Sequence, residues 1–240
     1  MLAQPRALPA VIQRAGEALG RGDPVLIFDA ADREAETDLV ILSERATPEL
    51  VRLLRMDAGG LICTAISNEL RERLGLPFYS DMLKAAEPRF PELGPIRHQQ
   101  LRYDTHSPFG IHVNHRTNFT GIPDRDRSVT IRAIGELAQA AGSLTDEELR
   151  ERFGREFTSP GHVPIIYAAR ALGRERKGHT ELAISLARMA GLSESVTVCE
   201  MLGDSGGARS TDAARQYAED HGWSFLEGKT IIEAFLAWSA

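Results

Sequence analysis

The chain has little that would staple it, anchor it or bind it broadly to polyanions. Two cysteines, Cys63 and Cys199, stand alone in 240 residues. They form no CxxC pair, which excludes a disulfide framework and a zinc ribbon and points to a reducing compartment. No apolar run approaches the ~20 residues of a membrane span, and Arg6 and Arg14 precede no apolar signal core. Lys and Arg number 28 against 34 Asp and Glu, a formal charge of −6. With no basic block, broad electrostatic binding to nucleic acid or an anionic membrane is excluded. Repeats and low-complexity tracts are absent. The 42% hydrophobic and 26% charged residues are those of a folded chain. A cytoplasmic protein is expected, and any anion it binds must meet locally gathered positive charge.

What is present alternates between helical and strand periodicity. Val11, Ile12, Ala15, Ala18 and Leu19 share one helical face, with Gly20 and Gly22 as a stop. Val25–Phe28, Leu39–Leu42, Leu61–Ile66, Ile111–Asn114 and Val196–Cys199 read as strands, and 223–226 is short and apolar. Thr47 and Pro48 open a helix to about Met56, and another runs from Asp124 to Ala141, closed by Gly142. Further helices start near Thr180 and Thr230, and one capped by Thr211 runs to about Asp220. Pro88, Pro91 and Pro95 predict an extended loop from Glu87 to Gln100. The alternation predicts one α/β domain over residues 1–240.

The densest chemistry lies between the first two strands: Asp29, Asp32, Arg33, Glu34, Glu36 and Asp38. Glu34, Glu36 and Asp38 are spaced by two, so in extended chain they project to one side and repel. A hard divalent cation would offset that repulsion, with Arg33 a fixed cation for phosphate or carboxylate. A solvated acidic loop accommodates the same residues. Two Gly–His dipeptides follow, in Ser159-Pro160-Gly161-His162-Val163 and Arg176-Lys177-Gly178-His179-Thr180-Glu181. Glycine admits a ligand to the backbone, and imidazole suits a metal or a proton near neutrality. The second places Arg176, Lys177, amides and a hydroxyl at a helix start, which suits a phosphate monoester. A basic loop with a surface histidine is the plainer reading of each.

Cys199-Glu200 ends a strand and could present a carboxylate there. Cys63 holds the analogous place in its own strand, where a buried inert thiol is the commoner case. Phe119 to Arg127 is a turn and a charged helix start. Gly222 to Thr230 imitates a phosphate-binding loop, but it has one residue too many and is filled by Trp223, Phe225 and Leu226. His112 and His115 fall on opposite sides of a strand and cannot share a metal.

In this order the segments resemble the 3,4-dihydroxy-2-butanone 4-phosphate synthase family of riboflavin biosynthesis. The resemblance rests on Asp32-Arg33-Glu34-Ala35-Glu36-Thr37-Asp38, Gly59-Gly60-Leu61-Ile62-Cys63, and Asn114-His115-Arg116 with Thr120-Gly121-Ile122 and Asp126-Arg127. It rests equally on Pro160-Gly161-His162-Val163-Pro164, Arg176 to Glu181, and Cys199-Glu200-Met201. The segment around Ser143 to Glu156 and Lys177 resemble the archaeal-type, monofunctional members. A length of 240 residues leaves no room for the GTP cyclohydrolase II half carried by many relatives.

The resemblance implies a homodimeric lyase with a mixed sheet flanked by helices, converting D-ribulose 5-phosphate to 3,4-dihydroxy-2-butanone 4-phosphate and formate. It implies Mg²⁺ or Mn²⁺, two ions per site, with Glu34 and His179 as metal ligands. Arg33, Glu34, Asp38, Thr120, Arg176, Lys177, Gly178, His179, Thr180 and Glu200 would bind substrate. Glu36, Asp38, Cys63, His162 and Glu200 would surround the reacting carbons. A divergent relative using the same site on another sugar phosphate is the alternative. Ser107-Pro108-Phe109-Gly110 and His112 depart from the family pattern, which leads us to expect an altered strand before Thr120.

Overall fold

The computed structural model describes residues 7–97 and 107–240. Its strands are β1 (Val25–Phe28), β2 (Thr37–Leu42), β3 (Cys63–Ile66), β4 (Phe109–His115), β5 (Phe157–Tyr167), β6 (Ser195–Glu200) and β7 (Ser224–Glu227). They form one sheet in the order β4-β5-β3-β6-β2-β1-β7. The sheet is mixed: β5 runs parallel to β3 and β7 to β1, and the other pairs are antiparallel.

Period-two burial sorts the strand residues onto two cores. On one face Leu26, Leu39, Ile41, Cys199 and Ile165 meet helices α2 (Pro48–Leu53), α3 (Asn68–Leu74), α6 (Asp124–Ala140), α7 (Asp146–Glu156) and α9 (Thr211–His221). On the other face Val25, Ile27, Val40, Cys63 and Val198 meet α1 (Ala10–Arg21), α8 (His179–Met189) and α10 (Gly228–Trp238). The two cysteines, on neighbouring strands, therefore point to opposite faces and cannot pair, and both are free thiols. Helix α8 is the most deeply set, with Leu182, Ile184 and Leu186 all buried. Each such side chain contributes roughly 1.5–3 kcal/mol of hydrophobic stabilisation.

Most helix boundaries follow from their caps. Gly22 ends α1 in the left-handed conformation, and the Thr47 side chain accepts from Leu50 N–H to open α2. Other boundaries differ from expectation. Ser210 rather than Thr211 caps α9, its hydroxyl accepting from Ala213 N–H. Helix α6 ends at Ala140 and passes into a 3₁₀ turn, Ala141–Ser143, that contains Gly142. The prolines of 88–95 do not make an extended loop, because α5 (Leu93–Arg97) follows α4 (Tyr79–Ala86) with Pro95 inside its first turn. Residues 98–100 of that expected loop lie outside the described residues.

A strand forms across the departure at Ser107 to Gly110, but its pairing is altered there as expected. β4 pairs with β5 through a register shift between Phe109 and His112. Gly110 is required there, because a Cβ would overlap the Tyr167 hydroxyl and ring, and Tyr167 is fully buried. Gly110→Ala is expected to lower stability by about 1–3 kcal/mol through overpacking. Denaturant unfolding checks this; a wild-type midpoint would mean Tyr167 can move.

Candidate active site

The sheet register brings the predicted residues to one sheet end. Asp38 opens β2 opposite Glu200 at the end of β6, and Cys63 at the start of β3 pairs with Val198 on the same face. His162 precedes the paired part of β5 as Leu61 precedes that of β3, so it emerges at this same end. Helix α8 covers the face with its N-terminus over Asp38, which places His179 among the acids.

The loop joining β1 to β2 is not extended. Ala35 is left-handed at φ 57°, so Glu34, Glu36 and Asp38 do not line up as alternation predicts. Buried Asp29 holds the loop in this shape. Its Oδ2 accepts from Arg33 Nη1 at 3.2 Å and Glu34 N–H at 3.0 Å, and its Oδ1 from Glu36 N–H at 3.1 Å. Arg33 also pairs with Glu34 at 3.0 Å. The guanidinium lies where a Cβ on residue 178 would sit 2.7 Å from Nη2, so glycine there lets the two loops close on each other.

His179 is the centre of the cluster. Its Nε2 faces the Glu36 carbonyl at 3.0 Å and Asp38 Oδ1 at 3.6 Å, and its Nδ1 lies 3.5 Å from Glu34 Oε2. Burial disfavours the imidazolium, but Asp38, Glu34 and Asp29 outweigh it and raise the His179 pKa to about 9. Burial likewise raises Asp38 to about 7, helped by Glu200, Glu34 and Glu36. Glu36 is raised by burial and then by Glu34 and Glu200, whereas the His179 hydrogen bond holds Glu34 low. The Cys63 thiol is pushed well up, by burial first and then by Glu200 and Asp38, so it stays neutral.

The donor set suits a hard divalent cation. Asp29, Glu34 and His179 each offer an atom within 4.8 Å of the others. Asp29 is already engaged on both oxygens, which makes it the loop's organiser and leaves Glu34 and His179. With Nε2–H donating to the Glu36 carbonyl, Nδ1 beside Glu34 is the free nitrogen, an arrangement usual for a metal-bound imidazole. Asp38 Oδ1 is buried without a hydrogen-bond partner, an orphan that a cation or substrate hydroxyl would satisfy.

Positive charge is gathered beside this cluster. Arg33, Arg176 and Lys177 line a cavity of about 630 Å³ with Asp29, Asp32 and Glu175, and with Lys229 and Glu233 of α10, which pair with each other. Glu181 joins the two parts: its Oε2 accepts Gly178 N–H at 3.2 Å, its Oε1 accepts Ala169 N–H at 2.9 Å, and Arg176 lies 3.7 Å away. Thr180 is buried in the same first turn. Glu200 Oε2 accepts Leu61 N–H at 2.8 Å. His162 and Thr120 stand apart. Among the described residues their hydrogen bonds run to Asn114 and Asp126, and none reaches the acids. The roles of Asp29 and Lys229 escaped the sequence, although Asp29 stood in the acidic segment and Lys229 in the rejected Gly-Lys-Thr sequence.

Asp38 and His179 both hold protons more tightly folded than unfolded. Folding therefore takes up protons, and this cluster's stabilisation falls as pH rises. For Asp38 the fall runs from about pH 4 to about 7, and for His179 from 6.5 to about 9. In metal-free protein, unfolding free energy is expected to decline across this range. A D38N/H179Q double variant should lose much of that slope in denaturant titrations at several pH values; an unchanged slope would place the linkage elsewhere.

Comparison with known proteins identifies the family and its fold. The family model for 3,4-dihydroxy-2-butanone 4-phosphate synthase matches residues 13–234. The enzyme of that name from Methanosarcina mazei is 46% identical over 231 residues, 95% of this chain and 92% of the relative. The Candida albicans synthase structure superposes with a TM-score of 0.69 at 26% identity, covering 95% of this chain and 98% of that one. A synthase structure in complex with two magnesium ions gives 0.69 at 23% identity, covering 92% and 94%. Matched over nearly its whole length, this chain belongs to the 3,4-dihydroxy-2-butanone 4-phosphate synthase family.

Proposed function

We propose that the chain converts D-ribulose 5-phosphate to 3,4-dihydroxy-2-butanone 4-phosphate and formate, with Mg²⁺ or Mn²⁺ held by Glu34 and His179. The observation that carries this reading is the placement of a buried carboxylate–imidazole cluster beside a cation-lined cavity, one for an enediol and the other for a phosphate. The relatives' name supports it. Two ions per site is the stoichiometry we propose, by analogy with the dimagnesium complex.

The reaction removes the C3 proton, loses the C1 hydroxyl as water, shifts the carbon skeleton, and takes one water back at the C4 carbonyl so that C4 leaves as formate. Arg33, Arg176 and Lys177, with the α8 amides, Thr180 and Gly178, fix the phosphate at the helix N-terminus. The bound cation would supply Lewis acidity to the substrate's vicinal oxygens. Asp38 and Glu36 are the candidate first bases, since raised carboxylate pKa values match proton transfer near neutrality. Cys63 remains a thiol that closes the apolar floor under the reacting carbons. Glu200, restrained by Leu61 N–H, exchanges protons during rearrangement and formate loss, with His162 facing the reacting carbons and Thr120 binding substrate nearby.

We also propose a cytoplasmic homodimer. Exposed Met56, Leu61, Leu202, Ile122 and Phe119, the last 96% accessible, lie around the site end, with Arg55 bonded to Asp124. A second copy would cover this apolar rim, and sedimentation velocity would detect it.

Purified protein with ribulose 5-phosphate is expected to release formate stoichiometrically and only with Mg²⁺ or Mn²⁺ present. Glu200→Gln and His162→Gln should each lower kcat by about 10²–10⁴-fold. Glu36→Gln or Asp38→Asn should slow exchange of the C3 proton with solvent, followed by NMR in D₂O. Absence of formate would favour another sugar phosphate as substrate, and unchanged exchange in both variants would exclude them as the first base.

A further inference from the structure

Asn114 belongs to a segment to which neither the sequence nor the proposed chemistry gives a role, yet its side chain is where the β4–β5 ladder is broken and His162 is held. Val113 pairs with Val163, but the next residue, Asn114, pairs with Thr158. Ser159, Pro160, Gly161 and His162 thus leave the ladder as a bulge. Such insertions commonly re-aim a side chain beside an active site. The excursion crosses β4 tightly, since a Cβ on Gly161 would overlap the Val113 carbonyl carbon and Asn114 N. Having left the ladder, His162 N–H has no strand partner, and Asn114 Oδ1 accepts it at 2.9 Å.

That bond fixes the amide. With Oδ1 turned to a backbone donor, Nδ2 is the group left facing the ring, and it lies 3.1 Å from His162 Nδ1. Oδ1 is the more distant at 3.3 Å. An NH₂ can only donate, and it is the nearer of the two amide atoms, so the geometry favours an unprotonated Nδ1 with the proton on Nε2. The amide is closely packed. Gly121, at φ +91°, packs so closely on it that a Cβ would overlap the whole group. Asp126 holds that turn in place, accepting Thr120 N–H at 2.9 Å and Gly121 N–H at 2.7 Å.

We infer that Asn114 is a positioning residue that locks His162 in the Nε2–H tautomer, so that the neutral imidazole presents an N–H hydrogen-bond donor to a substrate oxygen. The inference rests on the proposed function for its catalytic consequence, but not for the tautomer itself. Nε2 has no partner among the described residues and is free to meet a substrate oxygen. A hydrogen bond from Nε2–H to an oxygen that gains charge leaves the ring neutral, while Asn114 Nδ2–H occupies Nδ1. The same side chain joins His162 to the Thr120-Gly121 turn, so two separately predicted segments share one support.

The test begins with the wild-type protein, without turnover. Long-range ¹H–¹⁵N correlation spectra of histidine-labelled enzyme distinguish the tautomers. The chain has seven histidines, and H162Q identifies the ring. Above its pKa, His162 is expected with Nδ1 unprotonated and Nε2 protonated; a neutral ring protonated at Nδ1 overturns the inference. N114D supplies the second arm. An aspartate keeps the backbone tether to His162 N–H but offers Nδ1 only acceptors, so the proton should move to Nδ1 or the ring stay charged. The variant should then lose about 100-fold in kcat, within the ~10²–10³-fold cost of losing one hydrogen-bond donor to a developing oxyanion, with KM little changed and the pH profile displaced. Retention of wild-type tautomer, kcat and profile in N114D would reduce Asn114 to a tether and overturn the proposal. Absence of formate release by the wild type would count against the proposed function alone, because the tautomer measurement stands without it.

Discussion

The structure turns on one buried imidazole surrounded by carboxylates. His179 is the first residue of α8, where the helix dipole disfavours a cation and favours anions. Glu34 and Asp38 gain from that dipole, and they in turn hold His179 charged when no metal is present. Every group is thus stabilised by a neighbour it also perturbs. Asp38 shows the strain of this arrangement most directly: a fully buried carboxyl with one oxygen lacking a hydrogen bond. Bringing an oxygen-seeking cation into such a cluster relieves repulsion among the acids and releases the His179 proton, so metal affinity and pH are coupled by construction.

The fold serves this centre by matching strand ends. β1 and β2 form an antiparallel pair whose connection lies at the same end as the C-terminus of β6 and the start of β3. The acids at that end come from separate stretches of chain, and the ladder spacing sets their separations. Helix α8, buried on nearly every side, cannot shift without disturbing a core, so His179 is placed by packing rather than by a flexible loop. Asp29 performs the corresponding service for the loop, converting three hydrogen bonds into a defined position for Glu34.

The sequence was most legible where periodicity and burial agree. β1, α1, α6 and α8 were readable because each buries one coherent set of apolar residues. β5 was not, since Pro160, Gly161 and Pro164 speak against a strand, and only the ladder shows that 159–162 form a bulge within a longer strand. Helices α3 and α4 lay in segments where charge hides the apolar face. Within the site, residue types were legible through the family resemblance, but their geometry was not. Alternation suggested aligned Glu34, Glu36 and Asp38, whereas the left-handed Ala35 turns Glu34 away. Asp29 looked like one acid among five, because a carboxylate satisfied by backbone amides cannot be told from a metal ligand by its neighbours in sequence.

Arg33 shows why the two halves of the site cannot be varied independently. Its guanidinium is bonded to Asp29 and Glu34 while lying against Gly178, at the threshold of α8. It therefore neutralises the acid cluster from one side and lines the cation-rich cavity from the other. A lysine would carry the same charge, but its single ammonium could not maintain several directed contacts in one plane. Any side chain at position 178 would displace the guanidinium and separate the loops. On the proposed function, the phosphate-facing cavity and the metal-facing cluster share one fork of hydrogen bonds, and anchoring a phosphate there would also fix Glu34, through Arg33, in a position from which it could hold a cation.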